Sequence, residues 1–289
     1  MSDPRRIAER MAKRERFVAL PPGERMLIIA ADHPARGALG AGRDNSAMSD
    51  RWDLLQRIVA ALERPGVHGF LGTADIVEDL TLLGALEGKF VLGSMNRGGL
   101  AGTSFEIDDR FTGYDARGIA EAGLDGGKML LRIDPDDRSS ARTIGACARA
   151  VDELAEQQLV CMVEPFMSTR VHGRVRNQLA PDQVIRAMSV AAGLGRTSAY
   201  TWLKLPVVDE MRRVMAATTL PVLVLGGEVA EDSDAARAGW GAAFENPTVR
   251  GLVIGRSLLY PPDGDVATAV DGAVSLLGSQ QSIEGALSI

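Results

Sequence analysis

Four side chains stand where chemistry can be done: Lys204, Glu164, Lys128 and Asp32. The chain has 32 basic residues, and only four of them are lysine: Lys13, Lys89, Lys128 and Lys204. The other 28 are arginine. Two of the four lysines lie inside apolar runs that read as strands, KMLLRI (128–133) and YTWLKLP (200–206). Burying an ammonium is expensive unless it is paired or loses its proton. A lysine that sheds its proton is a nucleophile, and arginine cannot do that work.

A lysine amine that attacks a ketone or aldehyde forms an imine, whose cationic nitrogen draws electrons from a breaking C–C bond. The amine must be neutral to attack, and a second ammonium nearby and a partly dry pocket both disfavour the charged form. A carboxylate is needed to carry protons to and from the hydroxyl groups. Lys204 is the expected nucleophile, Lys128 its electrostatic neighbour and Glu164 the proton carrier. Asp32 is a further polar group placed to hold a substrate hydroxyl. The bland alternative, a buried ion-paired network that only fills space, is weaker for two lysines and a glutamate together than for any one alone.

Positioning these groups requires a repeating framework. Strand-like runs at 26–31, 67–71, 90–94, 128–133, 159–164, 200–205, 221–225 and 250–254 alternate with helical patterns. Ser49 and Asp50 suit the start of a helix to about Glu63, and Pro181 the first turn of another. Eight strand–helix units in about 250 residues predict a single closed (β/α)8 TIM barrel. An open doubly wound sheet would carry a glycine-rich loop after its first strand, and here that strand runs into Asp32-His33-Pro34. The division expected is an N-terminal helical extension (1–25), the barrel (26–277) and a C-terminal tail (278–289). The N-terminal helix is expected to plug the barrel's bottom. Period-two alternation places Lys128, Leu130 and Arg132 on one face, Val160, Met162 and Glu164 on another, and Tyr200, Trp202 and Lys204 on a third.

The seventh and eighth strands end in Gly226-Gly227-Glu228 and Gly255-Arg256. Glycines let backbone N–H groups approach an anion, and the loops after these two strands commonly bind phosphate in this fold. Gly226, Gly227, Gly255 and Arg256 are therefore the expected phosphate cradle. Plain turning is the competing use of those glycines. A basic stretch, Arg170 to Arg176, either closes over a second anionic group or is simply solvated.

The totals bound the rest. A net charge of −6 argues against nonspecific nucleic-acid binding. No run approaches the roughly 20 apolar residues of a membrane span, and residues 1–19 lack the apolar core of a signal peptide. The two cysteines, Cys147 and Cys161, build no disulfide framework, and a cytoplasmic location is expected. His33, His68 and His172 form no metal-ligand spacing, so neither metal nor cofactor is expected. The partner is a phosphorylated small molecule, and homo-oligomerisation is an expectation taken from other barrels of this kind.

Taken together, Asp32, Lys128, Glu164, the WLKLP around Lys204, LGGE and IGRSLLY resemble the class I (β/α)8 aldolases of the tagatose-bisphosphate and archaeal-type fructose-bisphosphate group. They also resemble the deoxyribose-phosphate aldolase-like barrels that accompany inositol catabolism in actinobacteria. The resemblance spans about residues 26–277. It implies a Schiff base at Lys204, assistance from Lys128 and Glu164, and phosphate at Gly226, Gly227, Gly255 and Arg256. A true deoxyribose-phosphate aldolase carries a further lysine in the seventh strand, where this chain has glycines. Through inositol catabolism the resemblance implies a deoxy-keto sugar acid phosphate cleaved to dihydroxyacetone phosphate and an aldehyde. The competing functions are a phosphate-binding isomerase or epimerase without a covalent step, and a non-catalytic sugar-phosphate-binding barrel.

Overall fold

Most barrel strands are short and apolar, and within the ring each pairs in parallel with its neighbours. The structure, a computed structural model, describes residues 3–21, 23–227 and 233–278, with side chains described outside 233–237. Its barrel strands are β1 (Met26–Ala30), β2 (Gly69–Gly72), β3 (Phe90–Ser94), β4 (Gly126–Ile133) and β5 (Val160–Val171), followed after a hairpin strand by β7 (Thr201–Pro206), β8 (Val222–Leu225) and β9 (Val249–Ile254). They run in the order β4-β3-β2-β1-β9-β8-β7-β5, and β4 pairs with β5 to close the ring. This is the (β/α)8 barrel expected. Glu228 and the tail from residue 279 lie outside the described residues.

Alternation along the strands sorts two cores. Leu27 and Ile29 face outward into the layer between barrel and helices. Met26, Ile28, Ala30, Leu71, Leu92, Met162, Leu223 and Val253 fill the barrel's interior. The next inward positions along the strands are polar: Asp32, Ser94, Glu164 and Lys204. An apolar floor thus lies directly beneath the charged layer, and it keeps water from reaching that layer from below.

Around this ring lie α1 (Arg5–Lys13), α2 (Arg51–Leu62), α3 (Ala74–Leu82), α4 (Ala116–Glu121), α5 (Ser139–Glu156), α6 (Pro181–Ala192), α7 (Met211–Met215), α8 (Ser233–Ala243), α9 (Arg256–Leu259) and α10 (Val266–Gly278). The Asp50 carboxylate caps α2, accepting hydrogen bonds from the backbone N–H groups of Trp52 (2.8 Å) and Asp53 (3.0 Å). Helix α7 begins only at Met211 because Glu210 takes a left-handed conformation (φ 55°) just before it.

Two expectations change. Helix α1 does not plug the barrel; it packs outside, against α3. The segment after it does the sealing. Phe17 meets Phe90 edge-on at 5.5 Å, and Phe90 stacks on Trp202 at 5.7 Å. The buried Arg14 fastens this segment by donating to the carbonyls of Leu86 (3.2 Å), Lys89 (3.0 Å) and Gly123 (2.8 Å). The second change concerns the strand expected over 159–164. Strand β5 continues to Val171 and returns as β6 (Arg174–Asn177), antiparallel to it. His172 (φ 50°) and Gly173 (φ 78°) make the turn, the left-handed pair that a two-residue hairpin requires.

Candidate active site

Register brings the expected groups together. Across the ring, Ser94 pairs with Lys128, Leu130 with Glu164, and Val163 with Leu203. Lys128, Glu164 and Lys204 therefore enter the barrel at neighbouring heights. The Nζ of Lys204 lies 3.0 Å from Oε1 of Glu164, and Lys128 is ion-paired to Oε2 of the same carboxylate. Lys128 also reaches Oδ2 of Asp32 at 3.1 Å. The result is one line of alternating groups: Lys204, Glu164, Lys128, Asp32. All four are buried, Lys204 to 4% residual exposure and Lys128 to 2%.

A fifth group ends the line. Arg97, in the loop after β3, places Nη2 3.0 Å from Oδ2 of Asp32 and donates from Nη1 to the Asp32 carbonyl at 2.8 Å. Its Nε donates to the Asn96 carbonyl at 2.8 Å, and Ser94 donates its hydroxyl to Asp32 at 3.3 Å. Sequence reasoning missed Arg97. It is one arginine among 28, and it lies three residues past a strand end. The signal available was its place in that loop.

The fields in this cluster are strong. Burial alone would raise the Glu164 carboxyl, but the two lysines outweigh it and hold it at about 2. Burial likewise works against Asp32, and Arg97, Lys128 and Lys204 together hold it well below the usual carboxylate range. Lys128 is lowered, first by burial, with Lys204 and Arg97 adding to that and the two carboxylates opposing it. His33 is lowered to about 3 by burial and by the cations of Arg256, Lys204 and Lys128, against the pull of Asp32. Its imidazole is thus neutral at ordinary pH.

The glycine cradle adjoins this line on the β8–β9 side. A Cβ at Gly255 would run into the Ala30 carbonyl and come within 3.5 Å of the His33 ring. A Cβ at Gly226 would meet Ile254 at 2.6 Å and the Ser257 hydroxyl at 3.0 Å. Gly227 has φ +68°, with open space where a Cβ would be. Among the described residues, three buried polar atoms of this corner have no hydrogen-bond partner: His33 Nδ1, Arg256 Nε and Ser257 Oγ. Buried polar groups are usually satisfied, so donors left unpaired beside glycines that hug the backbone suit an oxygen-rich anion.

Other expected groups lie elsewhere. Arg132 does not join Lys128; it pairs with Glu106 and donates to the Glu106 carbonyl at 2.9 Å. Arg36 pairs with Asp109 and donates to the carbonyls of Asn96 (2.6 Å) and Gly99 (2.9 Å). These two buried arginines hold the 95–112 loop beside the mouth. Arg170 is bound to the Ser104 carbonyl (2.7 Å) and Asp137 (3.1 Å), while His172, Arg174 and Arg176 are exposed. Among the described residues no group of three or more His, Cys, Asp or Glu side chains is placed to hold a metal ion. None of the described helices is long and apolar enough to cross a membrane.

Residues 24–274 match the model of the Cgl0159-like family. The chain belongs to that family. The crystal structure of Cgl0159 from Corynebacterium glutamicum (Brevibacterium flavum) is 52% identical, with a TM-score of 0.93 over 96% of this chain and 93% of its own. An archaeal fructose 1,6-bisphosphate aldolase superposes with a TM-score of 0.66 at 17% identity, over 94% of this chain and 98% of its own. An archaeal fructose-1,6-bisphosphate aldolase with its catalytic Lys covalently bound to the carbinolamine intermediate of the substrate superposes with a TM-score of 0.63 at 16% identity, over 94% and 99%. At those identities the likeness is one of fold, the (β/α)8 barrel. No curated protein matches the chain.

Proposed function

We propose that this chain is a class I aldolase that cleaves or forms a C–C bond of a phosphorylated ketose through an imine at Lys204. The carrying observation is the line Lys204–Glu164–Lys128–Asp32, with each oxygen of Glu164 facing a different lysine. The Lys204 nitrogen adds to the substrate ketone and forms a C–N bond. Glu164, within 3.0 Å, takes the proton that Lys204 releases and returns it to the carbinolamine hydroxyl, which leaves as water. The iminium then accepts the electron pair of the breaking C–C bond while the hydroxyl beyond that bond gives its proton to Glu164, by then a carboxylate again. An aldehyde departs, and the remaining enamine is protonated on carbon and hydrolysed to a free ketone and the amine. Lys128 steadies the carboxylates during these transfers, and Asp32 holds a substrate hydroxyl.

Gly226, Gly227, Gly255 and Arg256 hold the phosphate in this reading. The unpaired Arg256 Nε and Ser257 Oγ support that assignment. The finer proposal is that the substrate is a phosphorylated ketose or deoxy-keto sugar acid of carbohydrate or inositol catabolism, giving dihydroxyacetone phosphate and an aldehyde. It rests on the sequence resemblance.

The test is chemical trapping. Borohydride added with dihydroxyacetone phosphate is expected to reduce the imine and leave a stable adduct on the Lys204 peptide. Lys204→Arg, which keeps the charge opposite Glu164, is expected to give none. Turnover of sugar phosphates that borohydride does not affect, with proton exchange at carbon, would replace this reading with an isomerase or epimerase.

A further inference from the structure

An imine at Lys204 leaves one proton without a carrier. Once the C–C bond is broken, the enamine carbon must gain a proton, and in the direction of synthesis the same carbon must lose one. Glu164 serves the nitrogen and the cleaved hydroxyl, with its two oxygens set against Lys204 and Lys128. Asp32 is held ionised by its cations. The Lys128 ammonium is shared between two carboxylates, and the guanidiniums of Arg97 and Arg256 do not give up a proton. His33 is the group of this cluster that remains. His68 is at the other end of the strands, where its Nδ1 accepts the Leu27 backbone N–H at 3.1 Å.

Three features set His33 apart. Its side chain keeps 29% exposure, whereas those of Asp32, Lys128, Glu164, Lys204 and Arg97 keep between 2% and 11%. It is therefore the member of the cluster best placed to exchange protons with water. Its Nδ1 is buried without a hydrogen-bond partner among the described residues, 3.7 Å from Oδ1 of Asp32. Its ring also borders the glycine cradle, since a Cβ at Gly255 would come within 3.5 Å of its Cε1. The imidazole thus stands between the cradle and the carboxylate that holds a substrate hydroxyl. In dihydroxyacetone phosphate the carbon that becomes the enamine carbon lies between the phosphate and the free hydroxyl. The charges around the ring also change at the right stage. In the free site Arg256, Lys204 and Lys128 oppose protonation of His33, and Asp32 favours it. A bound phosphate offsets Arg256, and Lys204 is uncharged while it is an enamine nitrogen. Two of the three opposing cations are then silent, and Asp32 still attracts the proton.

We propose that His33 is the proton carrier for the enamine carbon, a further catalytic residue of the reaction at Lys204. The imidazole takes a proton from water and passes it to carbon. The electron pair of the enamine becomes the new C–H bond, and the nitrogen becomes an iminium again, ready for hydrolysis. In the direction of synthesis the neutral imidazole removes that proton. The inference rests on the imine reading, and the experiment separates the two. Dihydroxyacetone phosphate alone is the probe. Borohydride trapping reports the imine, and NMR in deuterium oxide reports exchange at the carbon that bears the free hydroxyl. The wild type is expected to give both. His33→Gln and His33→Asn, which still hydrogen-bond but carry no proton, are expected to retain the adduct and to exchange at least about tenfold more slowly. A residue that only fills space would lower adduct and exchange together. A smaller loss of exchange in a variant that forms the adduct, loss of the adduct from both variants, or a wild-type adduct without exchange overturns the inference and leaves the imine reading standing. Absence of the adduct from the wild type removes the imine reading, and the inference with it.

Discussion

Glu164 is the side chain on which both lysines depend. Glu164→Gln keeps the shape but cannot take a proton from Lys204, so kcat is expected to fall by ~10²–10⁴-fold, the usual range for a lost acid–base group. A stopped-flow record of cleavage would show it. The same residue ties stability to pH. Its carboxyl sits near 4.5 when unfolded and about 2 in the fold. A depressed carboxyl stabilises the fold above its unfolded value and loses that contribution as pH falls through the folded one. Melting temperature is therefore expected to drop between about pH 4.5 and pH 2 more steeply in the wild type than in Glu164→Gln. Arg97→Met leaves Asp32 short of one of its cations in a buried place, and a loss of about 3–5 kcal/mol in urea unfolding is expected. These residues differ in how far the sequence shows them. Lys128 and Lys204 were legible because lysine is rare in this chain and both occur in apolar strands. Glu164 followed from alternation. Arg97 was not, because its partner Asp32 lies on another strand end and only the closed ring brings the two together.

Among the elements, the strand ends carry the chemistry of the proposed reaction, and in that reading the glycines set how close the phosphate can come. Gly255→Ala would push a methyl group into the Ala30 carbonyl, so β9 must shift against β1 and the cradle must open. The KM for a phosphorylated substrate is expected to rise by about tenfold, equivalent to ~1.4 kcal/mol of binding, with the Lys204 adduct still forming at saturating ligand. Initial-rate measurements over substrate concentration check this. The short inner strands were legible because burial on both faces gives continuous apolar runs. The β5–β6 hairpin was not. Pro165 and the arginines after it look like the end of a strand, yet the alternation of Thr169 and Val171 with Val175 across His172-Gly173 is hairpin patterning. Its exposed arginines lie along β6, an edge strand, where charge discourages pairing with another chain. Helix α9, a single turn after the last strand, is too short to show a helical period.

At the scale of the whole molecule, stability and chemistry are separated along the barrel axis. The bottom is closed by Phe17 and Leu20 against the floor that Phe90 and Trp202 complete, and the mouth holds the line from Lys204 to Arg97. Between them lies a full layer of apolar side chains. Bottom-end changes in such barrels act on stability, whereas changes at the C-terminal strand ends act on catalysis. Arg14 is the clearest handle on the lower end, because one buried guanidinium donates to carbonyls from the β2–β3 and β3–β4 connections. Arg14→Met keeps much of the stem but leaves these carbonyls without their donor. Hydrogen bonds to a charged group are worth roughly 1.5–3 kcal/mol, so a loss of about 3 kcal/mol and a lower melting temperature are expected. Aldol cleavage measured well below that temperature is expected to stay within about twofold of wild type, since nothing in the charged line touches the segment that Arg14 fastens. A matching loss of activity in that variant would mean that the apolar floor transmits strain to Lys204, and the division of the barrel into a stabilising end and a reacting end would not hold for this chain.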